Sequence, residues 1–369
     1  MPSLLILTVG TGTAGKHSDV AQGLANTIRQ VRPRKFWLVP SASDKSTPVA
    51  DLIRETVTDL DSFAPWSESA FYHAIPNHDD IHECRRLVRE VIAVAKRDLR
   101  PDERLVVNPT SGTKQMSAGA TLAALDEEVD QIDFTSGEHV DGVVKTGTEV
   151  VQSFDLRGFL FQRDLRTADE LFRHGAFFAA ARLLKGFAQP EALRARETAL
   201  CLHEWQRMNY AKAASHAAKF SEKLRTHLKH LADAGEFSVN VLGDLLAGAD
   251  ELLRWGDHEE ALARYYRATE YAAKLRLEAA GEPTTELGWK DAWSRLQQLR
   301  DPLANEFWAD GALRRQLQER NESVYGHGQL PVDASVIHAV RDRLRNLFAR
   351  EFPNLLSRWS VDCRPTSLH

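Results

Sequence analysis

Arg104-Leu-Val-Val-Asn-Pro-Thr-Ser-Gly-Thr-Lys-Gln-Met116 is the stretch that decides how the first part of this chain folds. Arg104–Asn108 is a short apolar run of strand length, and it ends at Pro109. The loop Thr110, Ser111, Gly112, Thr113 and Lys114 follows, and a helix then starts with the small residues Ser117, Ala118, Gly119 and Ala120. Hydroxyls, a glycine and a lysine at a helix N-terminus suit an anion. The free N–H groups and the positive end of the helix dipole point at it.

The same strand–helix alternation extends outward to Asp155. Strands are predicted at Ser3–Val9, Lys35–Ser41, Ser69–Ile75, Val129–Thr135 and Glu149–Asp155. The first helix carries Val20, Leu24, Ile28 and Val31 on one stripe, and others are predicted over Pro48–Phe63, Asp80–Arg97 and Gly112–Leu125. Alternation of this kind makes an α/β, Rossmann-like domain with a mostly parallel sheet and right-handed crossovers. Gly137–Gly147 reads as a loop or hairpin, so the sheet can end antiparallel. In the common strand order 3-2-1-4, the first and fourth strands are neighbours. The loop Gly10, Thr11, Gly12, Thr13 and the loop Thr110–Lys114 then line one crevice, with Ser41 and Asn108 at adjoining strand ends.

Gly10-Thr-Gly-Thr-Ala-Gly-Lys-His17 fits two phosphate-loop patterns, and both have a defect. A dinucleotide fold wants an acid about 20 residues further on, to hold a ribose. Arg34-Lys35 stands there, and the second strand ends in Ser41. A P-loop needs Ser or Thr after its lysine to hold Mg²⁺, and this chain has His17. A nicotinamide enzyme and an NTPase are both disfavoured.

Composition narrows the classes further. The chain has 369 residues, enough for two cores, with 43% hydrophobic residues. A formal net charge of −5 means that any polyanion must meet a local basic surface. Three cysteines, Cys84, Cys201 and Cys363, form no CxxC or Cys/His cluster, so no structural metal site is expected. Sparse cysteine and the absence of a membrane-length apolar stretch predict a cytoplasmic protein without a membrane partner. The N-terminal MPSLLILTVGTG reads as a buried strand rather than a signal peptide.

Beyond Arg163 only helical periodicity is found, punctuated by Gly175, Pro190, Gly235, Gly256, Gly281–Pro283, Pro302 and Pro331. Asp169-Glu-Leu-Phe-Arg-His-Gly175 echoes Asp250-Glu-Leu-Leu-Arg-Trp-Gly256, each before an Ala-rich helix. The echo reads as a tetratricopeptide-style helix hairpin used twice or as plain helix-pair packing; no regular array follows.

Asn108-Pro-Thr-Ser-Gly-Thr-Lys-Gln-Met116, after an opening Val9-Gly-Thr11, resembles the CRISPR-associated Rossmann-fold (CARF) sensor domains. The resemblance implies a homodimer that binds a cyclic oligoadenylate, tetra- or hexa-adenylate, across the dimer axis as allosteric activator. No cofactor is implied. A rotationally symmetric cyclic anion fits a two-fold axis, where each subunit offers the same loops. Gly10, Thr11, Gly12, Thr13, Ser41, Asn108, Thr110, Ser111, Gly112, Thr113 and Lys114 are the ligand-binding candidates.

Helical partners of CARF domains are commonly HEPN ribonucleases, whose signature is Arg, usually Asn, then four to six residues, then His. Arg320-Asn-Glu-Ser-Val-Tyr-Gly-His327 is similar, with six residues between Arg and His. The chemistry explains the residue types. Metal-free RNA cleavage uses the ribose 2′-OH as nucleophile, so it needs a group that exchanges protons near neutrality and a fixed cation for the phosphorane charge. Seven helical residues turn through ~700°, which would put Arg320 and His327 on one face, with fraying at Gly326 and Gly328. Asn321 would orient the histidine or the phosphate. Glu259–Leu277 resembles the long first helix of such domains, with Leu262, Tyr266, Thr269 and Ala273 on one side. Arg267 and Glu270 either pair on the surface or face the pocket.

The expected domains are a sensor over residues 1–160 and a helical domain over 161–369, the latter with a tetratricopeptide-like helical linker over about 165–255 and a HEPN domain over about 256–360. The expected substrate is single-stranded RNA, cut without metal by Arg320, Asn321 and His327. Two alternatives stay open: a non-catalytic regulator whose helices recruit a protein, and a ring nuclease in which Thr11, Thr13 or Lys114 promotes cleavage of the ligand itself. A restriction-type DNase is disfavoured, since the chain has no Glu-x-Lys.

Overall fold

A strand that is paired on both edges and covered on both faces must be apolar throughout, and β1 (Ser3–Val9) is buried at every position. The computed structural model describes residues 2–11, 17–42, 46–57, 73–140, 143–145, 147–352, 354–355, 357 and 363–368. It divides into two compact units, Met1–Arg163 and Asp164–His369.

In the first unit, β1 pairs in parallel with β2 (Lys35–Pro40) and with β3 (Arg104–Asn108). The strand β4 (Gln131–Ser136) runs parallel to β3. After the short hairpin of β5 (His139–Val140) and β6 (Val143–Val144), β7 (Val150–Asp155) returns antiparallel to β4. The order is β2-β1-β3-β4-β7. Of the strand expected at Ser69–Ile75, residues 69–72 lie outside the described residues. Ile75 forms a parallel bridge with Ser41, and its N–H donates to the Pro40 carbonyl at 2.8 Å. Ile75 thus lies at the edge of the sheet beyond β2, and β1 stands between β2 and β3, so the first and fourth predicted strands are neighbours.

Alternation along β1 sends Leu5, Leu7 and Val9 into a core with α1 (His17–Val31) and α2 (Ser46–Thr56). Residues 58–63 of the second expected helix lie outside the described residues. On the opposite face α3 (Ile81–Asp98) and α4 (Lys114–Asp126) pack against each other and the sheet. Gly119 is explained by this packing, because a β-carbon there would lie 2.6 Å from Cys84 Cβ and 2.9 Å from the Arg85 nitrogen. Burial in the same seam pushes the Cys84 thiol up to about 11.

Arg34, one of the residues that spoils the dinucleotide reading, has a structural task. Its guanidinium donates twice to Glu103, with Nη2 to Oε2 at 2.8 Å, and the Arg100 N–H adds a bond at 3.0 Å. Arg34, against the opposing effect of burial and with help from the Arg100 N–H, holds the Glu103 carboxyl down to about 2. Its unfolded value is about 4.3. Because the folded value is the lower one, this stability is complete above the unfolded value and is lost as pH falls through the folded one. Glu103→Gln is expected to cost roughly 2–3 kcal/mol near neutral pH. Urea melts should show the gap to wild type narrowing as pH is lowered to about 3. A gap independent of pH would show that the pair contributes no titrating stability.

The second unit has no strand among the described residues. The two echoed segments end helices Leu156–Arg173 and Val239–Trp255. Gly175 and Gly256 close them with φ of 78° and 82°. The copies also touch. A β-carbon on Gly175 would lie 2.6 Å from the Trp255 ring, and Phe177 meets that ring edge-on with centroids 5.4 Å apart. The echo thus marks two helix stops packed on one another. The C-terminal tail returns to the same unit. Arg364 lies 4.1 Å over the buried Trp205 ring and pairs with Glu251. Asp244 accepts from Trp205 Nε1 and Tyr210 OH, both at 2.9 Å, and Asp169 accepts from the Leu368 N–H at 2.8 Å. Among the described residues no helix is long and apolar enough to cross a membrane.

Candidate functional site

The sheet gathers the first set of candidates at the carboxyl ends of its parallel strands, where the strand order reverses between β1 and β3. The two loops touch. The Gly10 N–H donates to Ser111 Oγ at 2.9 Å, and a β-carbon on Gly10 would lie 2.5 Å from the Gly112 nitrogen. Gly112 has φ +118°, a conformation open to glycine and strained for any side chain. Only glycine at both positions allows this backbone-on-backbone contact.

Most of the polar side chains in the second loop shape the loop itself. Asn108 is buried; its amide donates to Thr135 Oγ1 at 2.9 Å, and its Oδ1 accepts from the Thr110 N–H at 3.1 Å. Thr110 Oγ1 accepts from the Thr135 N–H at 2.8 Å. Thr113 caps α4 by accepting from the Met116 N–H, and donates to the His78 carbonyl at 2.8 Å. Lys114 opens α4, exposed, without a hydrogen bond or ion pair among the described residues. Ser41 is buried beyond the end of β2, and Thr11 is half-buried after β1. Gly12 and Thr13 lie outside the described residues. The loop therefore presents a lysine at a helix N-terminus, an arrangement that attracts an anion, on a base fixed by hydroxyls. Sequence reading missed Thr135, which links Asn108, Thr110 and, at 3.1 Å, Thr27. Its place at the carboxyl end of a parallel strand was the available signal.

The second set is brought together differently from the sequence expectation. The helix carrying Arg320 and Asn321 spans Gly311–Glu322 and stops before His327. Helical periodicity does not place the histidine. Instead the chain turns back on the last helical turn: the His327 N–H donates to the Asn321 carbonyl at 2.9 Å, and the Leu330 N–H to the Glu322 carbonyl at 3.0 Å. Two glycines make room. A β-carbon on Gly326 would lie 2.5 Å from Asn321 Cα, and one on Gly328 would lie 2.5 Å from Glu322 Cα and closer still to its carbonyl.

Arg320 Nη1 donates to Asn321 Oδ1 at 3.2 Å. Asn321 and His327 are exposed, and Val324, Tyr325 and Leu330, their neighbours in the chain, expose 73%, 46% and 63% of their surface. Within helix His258–Ala279 the core side is formed by Leu262, Tyr265, Thr269 and Ala273, so Tyr265 takes the place expected for Tyr266. Tyr266 is half-buried beneath Arg320. Arg267 pairs with Glu270 at 2.8 Å, which Lys274 also meets at 2.9 Å.

No protein-family model matches the chain, and no curated protein matches it in sequence. Among solved structures the fold is similar to that of Csm6 from Enterococcus italicus, bound to cyclic hexa-2′-fluoro-hexa-dAMP. The TM-score is 0.63 at 13% identity, covering 96% of this chain and 95% of that one. At that identity the likeness is one of fold, over both units. A Rossmann-like sheet domain followed by a helical domain, as the CARF and HEPN resemblances imply, is therefore the architecture of this chain.

Proposed function

We propose that the chain is a homodimeric endoribonuclease, switched on by a cyclic oligoadenylate and acting without metal in CRISPR-linked antiviral defence. One observation carries the reading. On a fold similar to that of a cyclic-oligonucleotide-bound Csm6, the chain folds His327 back beside Asn321, which is hydrogen-bonded to Arg320. His327 exchanges the proton of the attacking 2′-OH or of the leaving 5′-oxygen, and Arg320 stabilises the phosphorane. The 2′-oxygen bonds to phosphorus as the bond to the 5′-oxygen breaks, leaving a 2′,3′-cyclic phosphate and a 5′-hydroxyl. The substrate is single-stranded RNA, and two copies of the site form one cleft. The ligand's phosphates lie at the crevice of Gly10–Thr13 and Thr110–Lys114, beside Ser41.

The test is RNA decay in excess EDTA, with and without cyclic tetra- and hexa-adenylate, with the product ends analysed. Cleavage that needs a cyclic oligoadenylate and leaves 2′,3′-cyclic phosphate is expected. Ligand binding without RNA decay would favour a regulator, and a strict divalent-metal requirement would remove the mechanism. In the same assay Lys114→Ala is expected to raise the ligand concentration for half-maximal cleavage about tenfold or more, the loss of one charge-assisted phosphate contact. Calorimetry should show the same weakening of ligand binding, because the ligand shifts the equilibrium only by its differential affinity for the active state. Unchanged binding would take Lys114 out of the ligand site.

A further inference from the structure

The Arg320 guanidinium carbon lies 5.3 Å from the centroid of the Tyr266 ring. Its Nε is buried without a hydrogen-bond partner among the described residues. A buried cationic N–H with no acceptor is costly unless an aromatic face takes its place, and a guanidinium, more weakly hydrated than an ammonium, stacks well on such a face.

The ring is itself held. It stacks on Trp289 with centroids 5.3 Å apart and planes 17° from parallel. Trp289 Nε1 donates to Thr269 Oγ1 at 2.8 Å; Thr269 is fully buried and donates in turn to the Tyr266 carbonyl at 2.7 Å. Phe307 meets Trp289 edge-on, with centroids 5.6 Å apart. Burial raises the pKa of the Tyr266 phenol, so the ring offers Arg320 a neutral face.

We propose that Tyr266, backed by Trp289, is the positioning residue of the RNA-cleaving site: its ring face fixes the Arg320 guanidinium with Nη1 toward Asn321 and Nη2 toward the scissile phosphate. The proposal rests on the ribonuclease reading above. A long arginine side chain otherwise samples many rotamers, and each departure from the productive one removes charge stabilisation from the transition state. Tyr266 acts through Arg320, so its loss lowers kcat and leaves substrate affinity alone.

The experiment measures kcat and KM on single-stranded RNA at saturating cyclic hexa-adenylate and, in parallel, cyclic tetra-adenylate, together with melting curves. Tyr266→Leu is expected to lower kcat about tenfold, equivalent to about 1.4 kcal/mol, with KM within about twofold of wild type. Tyr266→Phe keeps the π face and should stay within about twofold in both parameters. Tyr266→Met, which fills the space without a π face, takes the place of Tyr266→Leu if the latter melts early. A wild-type kcat in the Leu or Met variant overturns the proposal, as does an equal loss in Tyr266→Phe or a change confined to KM. Arg320→Ala separates the two levels. If it is inactive and Tyr266→Leu is not, only the positioning role falls; if Arg320→Ala cleaves normally, or wild type does not cleave at all, the ribonuclease reading itself falls.

Discussion

His327→Ala and Arg320→Ala are each expected to lower ligand-stimulated RNA cleavage by about a hundredfold or more, with folding unaffected. General acid–base catalysis by one positioned side chain and charge stabilisation by another are each of that size. His327 is exposed, and Arg320 is half-buried on a helix whose core contacts are made by Leu313 and Leu317. Neither truncation opens a cavity in the core, so circular dichroism and the melting temperature should stay close to wild type. Because the two groups serve one transition state, the double variant is expected to be little worse than either single one. Single-turnover rates at saturating ligand are the measurement. A near-wild-type rate in either variant would remove that residue from the chemistry.

Gly328→Ala is expected to reduce cleavage almost as severely, although it removes no functional group. The added β-carbon would meet the Glu322 carbonyl, and backbone cannot step aside as a side-chain tip can. The turn must open, and the hydrogen bonds of its return, His327 N–H to Asn321 and Leu330 N–H to Glu322, break with it. The histidine then loses its place beside Asn321, and a misplacement of about 1 Å can cost on the order of 100-fold. The turn is at the surface, so the global melt, and the ligand binding proposed for the first unit, should change little. Wild-type cleavage by Gly328→Ala would show that the glycine turn does not place His327. A collapse of ligand binding with it would make the effect one of folding.

The elements whose signals are local were legible in the chain. The strand limits Ser3–Val9 and Arg104–Asn108 coincide with the observed ones, because a short apolar run bounded by turn residues is decided by near neighbours in sequence. The helix expected to start at Asp80 begins at Ile81, with Asp80 capping it by accepting from the His82 N–H. Capping needs only a side chain and the next turn of its own helix. Strand–helix alternation likewise implied the strand order that brings Gly10 and the Thr110–Lys114 loop to one rim.

What the side chains do there was settled only by tertiary packing. Ser111 reads as a ligand hydroxyl until its bond to the Gly10 N–H, 101 residues away in the chain, is seen. Thr110 and Asn108 are likewise occupied by Thr135, and Arg34 by Glu103. Tyr266 and Tyr265 are adjacent, and helical period alone does not say which is core and which lies beneath Arg320, because the answer depends on where Trp289 packs. The distance in sequence between Arg320 and His327 suggested a shared helical face, whereas a turn that doubles back brings the His327 N–H to the Asn321 carbonyl. Local propensity sets where an element begins and ends. Which distant atoms satisfy a hydroxyl, an N–H or a guanidinium depends on the whole fold, since burial leaves each polar group the partners that packing brings within reach.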